Sequence, residues 1–108
     1  MNVFLLQNIT YNHLIDKHRM SKWGVNMFVN KTKDGRNNVC GKNVARFRMQ
    51  LNISQRALAD RLQLVGLDID KNAVQRIECG KRFVTDIEII AFSKVFEISP
   101  DALLQQEE

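Results

Sequence analysis

Residues 44–80 read VARFRMQLNISQRALADRLQLVGLDIDKNAVQRIECG, and the spacing of their apolar side chains decides the fold. Val44, Phe47 and Leu51 recur at i, i+3 and i+7; Leu58, Leu62 and Val65 recur at i, i+4 and i+7. A helix advances by about 100° per residue, so each set forms one stripe and two such stripes can share a core. Ser54 stands where a side-chain oxygen can cap the second helix, and Gly66 where the chain can leave it in a left-handed turn. The same reading gives a third helix from Lys71 to Cys79, capped by Asp70 and ended by Gly80.

Downstream, Thr85 and Glu88 form a T-x-x-E capping box, with Val84 and Ile89 at the positions of a hydrophobic staple. The fourth helix that follows is expected to turn Ile87, Ile90, Ala91 and Val95 to the core. Ser99 and Pro100 open a short fifth helix, where a missing N–H costs nothing at the first position, and Leu103 and Leu104 are expected to close the core. With a single Pro, five Gly and 44% hydrophobic residues in 108, the chain reads as an all-α, compact five-helix domain over 41–108. Residues 1–40 are less clearly patterned and contain the polar stretch NKTKDGRNN, so they read as an N-terminal extension or linker.

Cys40 and Cys79 are too few to staple such a domain, and His13 and His18 fall off a common helix face, so no metal and no cofactor are expected. The first 40 residues show neither a membrane-length apolar run nor the pattern of a secretory leader, which makes the cytoplasm the expected compartment. Charge is unevenly distributed. Residues 1–40 hold six basic against two acidic side chains, residues 41–82 nine against four, and residues 83–108 one against six. A basic middle and an acidic end suit a molecule with one face for a polyanion.

With Val74 and Ile77 turned to the core, Asn72, Gln75, Arg76 and Cys79 project from the other side of the third helix. Asn and Gln can bond adenine edges in pairs, and Arg can grip guanine O6 and N7, so this short polar face suits a major groove; an ordinary solvated face has the same composition. Lys81 and Arg82, just past Gly80, add positive charge where phosphates could lie. Arg48 and Glu78 both fall at the flank of the core, where a lone charge is costly. An ion pair joining the first and third helices is the economical solution.

Taken together, S-Q-x-x-L-A at 54–59, I-E-x-G-K-R at 77–82 and I-S-P-D-x-L-L at 98–104 resemble the lambda-repressor-like, Cro/XRE-type helix-turn-helix family, in the family's order. The resemblance implies base contacts from Lys71, Asn72 and Arg76, to which the helical wheel adds Gln75. It implies phosphate contacts from Gln55, Lys81 and Arg82, and a structural pair of Arg48 with Glu78. The helical wheel puts Lys71 nearer the core flank than its neighbours. One departure stands out: QLVGLDIDKNA, residues 63–73, is longer than the tight turn of well-known members, so either the second helix is extended or the turn is looped.

The implied function is sequence-specific binding of double-stranded DNA by a transcriptional regulator, a repressor in the first instance and a homodimer, and not an enzyme. No His, Ser or carboxylate set has catalytic spacing, and the glycines form no phosphate loop. Two other readings use the same fold: the antitoxin of a toxin–antitoxin pair, with residues 1–40 meeting a protein partner, and a protein-interaction module without DNA binding. Residues 1–38 are expected to be dispensable for folding and to follow the phosphate backbone as a basic arm.

Overall fold

Helix starts in this chain follow local capping chemistry closely. A computed structural model describes residues 30–106. Among these residues there are five helices and no strand: α1 (Gly41–Gln50), α2 (Gln55–Leu64), α3 (Lys71–Glu78), α4 (Asp86–Phe96) and α5 (Pro100–Leu104). Ser54 Oγ accepts from Ala57 N at 3.0 Å, and Asp70 Oδ1 accepts from Ala73 N at 2.8 Å. At α4 both halves of the capping box are made: Glu88 N donates to Thr85 Oγ1 at 3.2 Å and Thr85 N to Glu88 Oε1 at 2.9 Å. Ser99 precedes α5 without a side-chain cap bond, Pro100 alone marking that start. Gly66 and Gly80 leave α2 and α3 with φ of 95° and 81°.

Every helix contributes to one core. Val44 from α1, Leu58 and Leu62 from α2, Val74 and Ile77 from α3, Phe92 from α4 and Leu103 from α5 are fully buried. The aromatic rings bind α1 to α4, with Phe47 and Phe96 at 5.6 Å between centroids and Phe92 and Phe96 at 6.2 Å. α3 packs on α2 and α1, and α5 packs on α4 and α1.

Two expectations about packing are corrected, and the choice left open for the α2–α3 connection is decided. Ile87 and Ile90 lie outside the core, 69% and 50% exposed, while Glu88, Ala91, Phe92 and Phe96 are the residues α4 buries. The helix is apolar on most sides, so periodicity alone does not choose its inner face; the two phenylalanines, with more surface to hide, take it. Leu51, Val65 and Leu104 also lie outside the core, because α1 and α2 end before their stripes do and Leu103 alone fills the site under α5. The long connection between α2 and α3 is looped, not helical, and its extra residues serve the core: Ile69 is buried and its carbonyl accepts from Gln63 Nε2 at 3.1 Å.

The boundary of the unit also differs from the composition-based one at 40. The compact unit begins at Lys31. Asn38 is buried, and its Oδ1 accepts from Gly41 N at 2.8 Å, capping the start of α1. Asp34 accepts from Thr32 Oγ1 and pairs with Lys42 at 2.9 Å, closing a turn ahead of α1. Removing residues 1–38 would therefore remove part of the folded unit. His13, His18, Leu14, Ile15, Trp23 and Phe28, and the remainder of the proposed arm, lie outside the described residues. Within the described residues no helix is long and apolar enough to cross a membrane, and no group of three His, Cys, Asp or Glu could hold a metal ion.

Candidate nucleic-acid interface

α3 is eight residues long, too short to be stable by its own hydrogen bonds, and it is held from three directions. Asp70 caps its start, and Val74 and Ile77 anchor one side in the core. Near its end, Glu78 takes the guanidinium of Arg48 in a two-point pair, Nε to Oε2 at 2.7 Å and Nη2 to Oε1 at 3.0 Å. The two side chains are only 15% and 8% exposed, so the pair works in a poorly solvated place where charge-assisted bonds are strong. Arg48 Nη1 also donates to Ile53 O at 2.9 Å, tying the α1–α2 turn to the same group.

This anchoring leaves Lys71, Asn72, Gln75, Arg76 and Cys79 exposed together. Lys71 is thus outward-facing and not at the core flank. Lys81 is exposed just beyond the helix end. Beside this set two carboxylates, Asp60 and Asp70, line a groove between α2 and the start of α3 with Arg56, Lys71 and Asn72.

Two residues assigned to phosphates are engaged inside the protein. Arg82 makes a two-point pair with Glu88, both bonds 2.9 Å, and is only 28% exposed along its side chain. Burial raises the Glu88 pKa, but Arg82 and the bonds from Thr85 outweigh it and hold the carboxyl below its ordinary value. Arg82 thereby joins the loop after α3 to the cap of α4; a count of charges past Gly80 could not see its partner six positions on. Gln55, half-buried at the first position of α2, donates from Nε2 to Glu78 Oε1 at 3.0 Å. Its side-chain amide is turned to the Arg48–Glu78 pair.

Sequence reasoning missed Arg56, exposed on α2 beside Lys71 and Asn72. Its position one residue after Gln55, at a helix start next to a basic helix, was the available signal. It also missed Arg36, Asn37 and Asn38, whose side chains bond the backbone at the end of α3. Nothing in a polar stretch such as DGRNN marks it as a clasp.

A helix-turn-helix family model matches residues 44–103, covering α2, α3 and the helices that support them. The chain belongs to this family. It is the Cro/C1, lambda-repressor-like type of helix-turn-helix, an all-α DNA-binding domain. No curated protein and no solved structure matches the chain.

Proposed function

We propose that this protein is a sequence-specific transcriptional regulator, acting as a repressor, that lays α3 in the major groove of double-stranded DNA. The observation that carries the reading is the exposed set Lys71, Asn72, Gln75 and Arg76 on a short helix braced at both ends. These side chains are hydrogen-bonding and basic, and they sit on a rigid element, which is what base-edge readout requires. Lys81 and Arg56, with the backbone start of α2 at Gln55, flank them as phosphate contacts.

Selection of bound duplexes from a random pool tests the reading directly, and two variants divide its parts. Arg76→Ala is expected to cost about 1–3 kcal/mol on the selected duplex and to relax choice at one base pair. Lys81→Ala is expected to weaken selected and random duplexes alike and to lower the salt slope by roughly one. Titrations at several salt concentrations read both; equal losses on both duplexes for Arg76→Ala would remove it from the base-reading set.

A helix of this length reads one half-site, so the working species in this proposal is a homodimer. Its contact is the outer side of α4, where Ile87 and Ile90 are exposed one turn apart and Phe83 is exposed just ahead of the cap. Apolar side chains grouped in this way, next to the phosphate-contacting loop, suit a second copy of the chain. Ile87→Glu is expected to raise the dimer dissociation constant about tenfold or more. Sedimentation equilibrium measures it, and an unchanged mass distribution would move the contact elsewhere.

A further inference from the structure

We propose that Arg36, Asn37 and Asn38 are positioning residues for DNA reading: they clamp the carboxyl end of α3 and so govern discrimination between DNA sequences more than the charge-driven grip on the backbone. This inference rests on the DNA-reading proposal above. The last carbonyls of a helix have no partners within it, and α3 ends beside the face proposed to read bases. The segment ahead of α1 supplies partners to Ile77 and Glu78 at that end and to the loop carbonyls that follow it. Arg36 Nη2 donates to Glu78 O at 2.6 Å and, more weakly, to Ile77 O at 3.5 Å. Asn38 Nδ2 donates to Ile77 O at 3.0 Å and to Arg82 O at 2.8 Å. Asn37 donates from its backbone N to Gly80 O at 2.7 Å and from Nδ2 to Lys81 O at 3.0 Å.

Five carbonyls, from Ile77 through Glu78, Gly80 and Lys81 to Arg82, are thus taken by three consecutive residues that lie about forty positions earlier in the chain. The guanidinium adds a favourable charge at the negative end of the helix dipole. The approach is tight: a Cβ on Gly80 would lie 2.7 Å from Arg36 Cζ. Asn38 is only 8% exposed, so its amide is committed to these bonds and cannot itself meet DNA. Lys31 Nζ donates to Asn37 Oδ1 at 2.7 Å, which keeps the Asn37 amide oriented with its Nδ2 on Lys81 O. Together with the Asp70 cap, the clamp fixes the tilt of α3 at both ends, and base-edge contacts tolerate little tilt.

The full-length chain and its Asn37→Ala, Arg36→Gln and Asn38→Ala variants are titrated against a selected and a random duplex at several salt concentrations, well below each variant's unfolding midpoint. Asn37 is half-buried and carries the test if Asn38→Ala does not fold. The expected result is a loss of about five- to tenfold in the selected-to-random affinity ratio, with the salt slope unchanged. Amide exchange at Arg76–Cys79 should quicken in the same variants. An unchanged ratio in folded variants would overturn the proposal, leaving these residues a purely structural role. A salt slope lower by roughly one for Arg36→Gln would also overturn it, marking that guanidinium as a phosphate contact. If the parent chain itself prefers no duplex over random DNA, the DNA-reading proposal falls, and this one falls with it.

Discussion

Replacing Glu78 by Gln is expected to lower the unfolding free energy by about 3 kcal/mol or more, among the largest effects open to a single surface-flank position. The substitution keeps the shape and removes the charge, leaving the Arg48 guanidinium, 15% exposed, without its counter-ion. An unpaired charge held away from water costs far more than the pair itself gains, so the two-point geometry at 2.7 and 3.0 Å becomes a liability once one side is neutral. The glutamine amide also has one acceptor oxygen where the carboxylate had two, so the bonds from Arg48 Nε, Arg48 Nη2 and Gln55 Nε2 cannot all be kept, which loosens the junction between α2 and α3. Urea unfolding monitored by circular dichroism gives the value. Two comparisons identify the cause. Asp34→Asn breaks a pair whose side chains are 53% and 62% exposed and should leave the midpoint unchanged. The double change Arg48→Met with Glu78→Leu should recover much of the lost stability, because neither partner is then left charged. A Glu78→Gln loss no larger than that of Asp34→Asn would show that the pair is well solvated.

Gly41→Ala should be comparably damaging, against the ordinary rule for helices. Alanine inside a helix is favoured over glycine by roughly 1 kcal/mol. At the first residue of α1, however, a Cβ would collide with Ile77 O and would stand 2.6 Å from Arg36 Nη2 and 2.7 Å from Asn38 Oδ1. Ile77 O is backbone in the core-facing part of α3 and cannot retreat without moving the helix. The predicted outcome is a loss of about 3 kcal/mol or more, at the upper end of what overpacking costs, or failure to fold. Gly66→Ala provides the scale. Its φ is 95° but no atom lies within 4 Å of the added carbon, so it should lose only about 1–2 kcal/mol, the cost of the left-handed conformation. Thermal melts of the two variants under one condition decide the matter; equal, small losses would show that α1 and α3 are not in close contact there.

The helices were legible because their signals are local. Ser54, Asp70 and the Thr85–Glu88 box each act within three residues of themselves, and all three are seen at the expected helix starts. The exposed face of α3 was legible for a related reason, Lys71 apart: only Val74 and Ile77 are apolar enough to point inward over its middle, which turns Asn72, Gln75, Arg76 and Cys79 outward. The Arg48–Glu78 pair could be anticipated because both charges sit beside apolar stripes, where solvation fails.

Long-range competition was not legible. Arg82 and Lys81 are adjacent, basic and alike in sequence, yet Arg82 pairs with Glu88 and Lys81 stays exposed. Ile87 and Ile90 have the same apolarity as the residues α4 buries, and only the volume offered by α1 and α2 gives the inner side to Phe92 and Phe96. The clasp of Arg36, Asn37 and Asn38 on the end of α3 joins residues about forty positions apart, for which no periodicity or capping pattern exists. What the amino-acid sequence determined by itself was therefore the set of helices, their starts and the polar face of the third, since these follow from interactions spanning one or two turns. Which charges remain free for a polyanion, which apolar side chains remain outside, and how the reading helix is held were decided only by tertiary structure, because each depends on which of several chemically equal groups meets a partner distant in the chain.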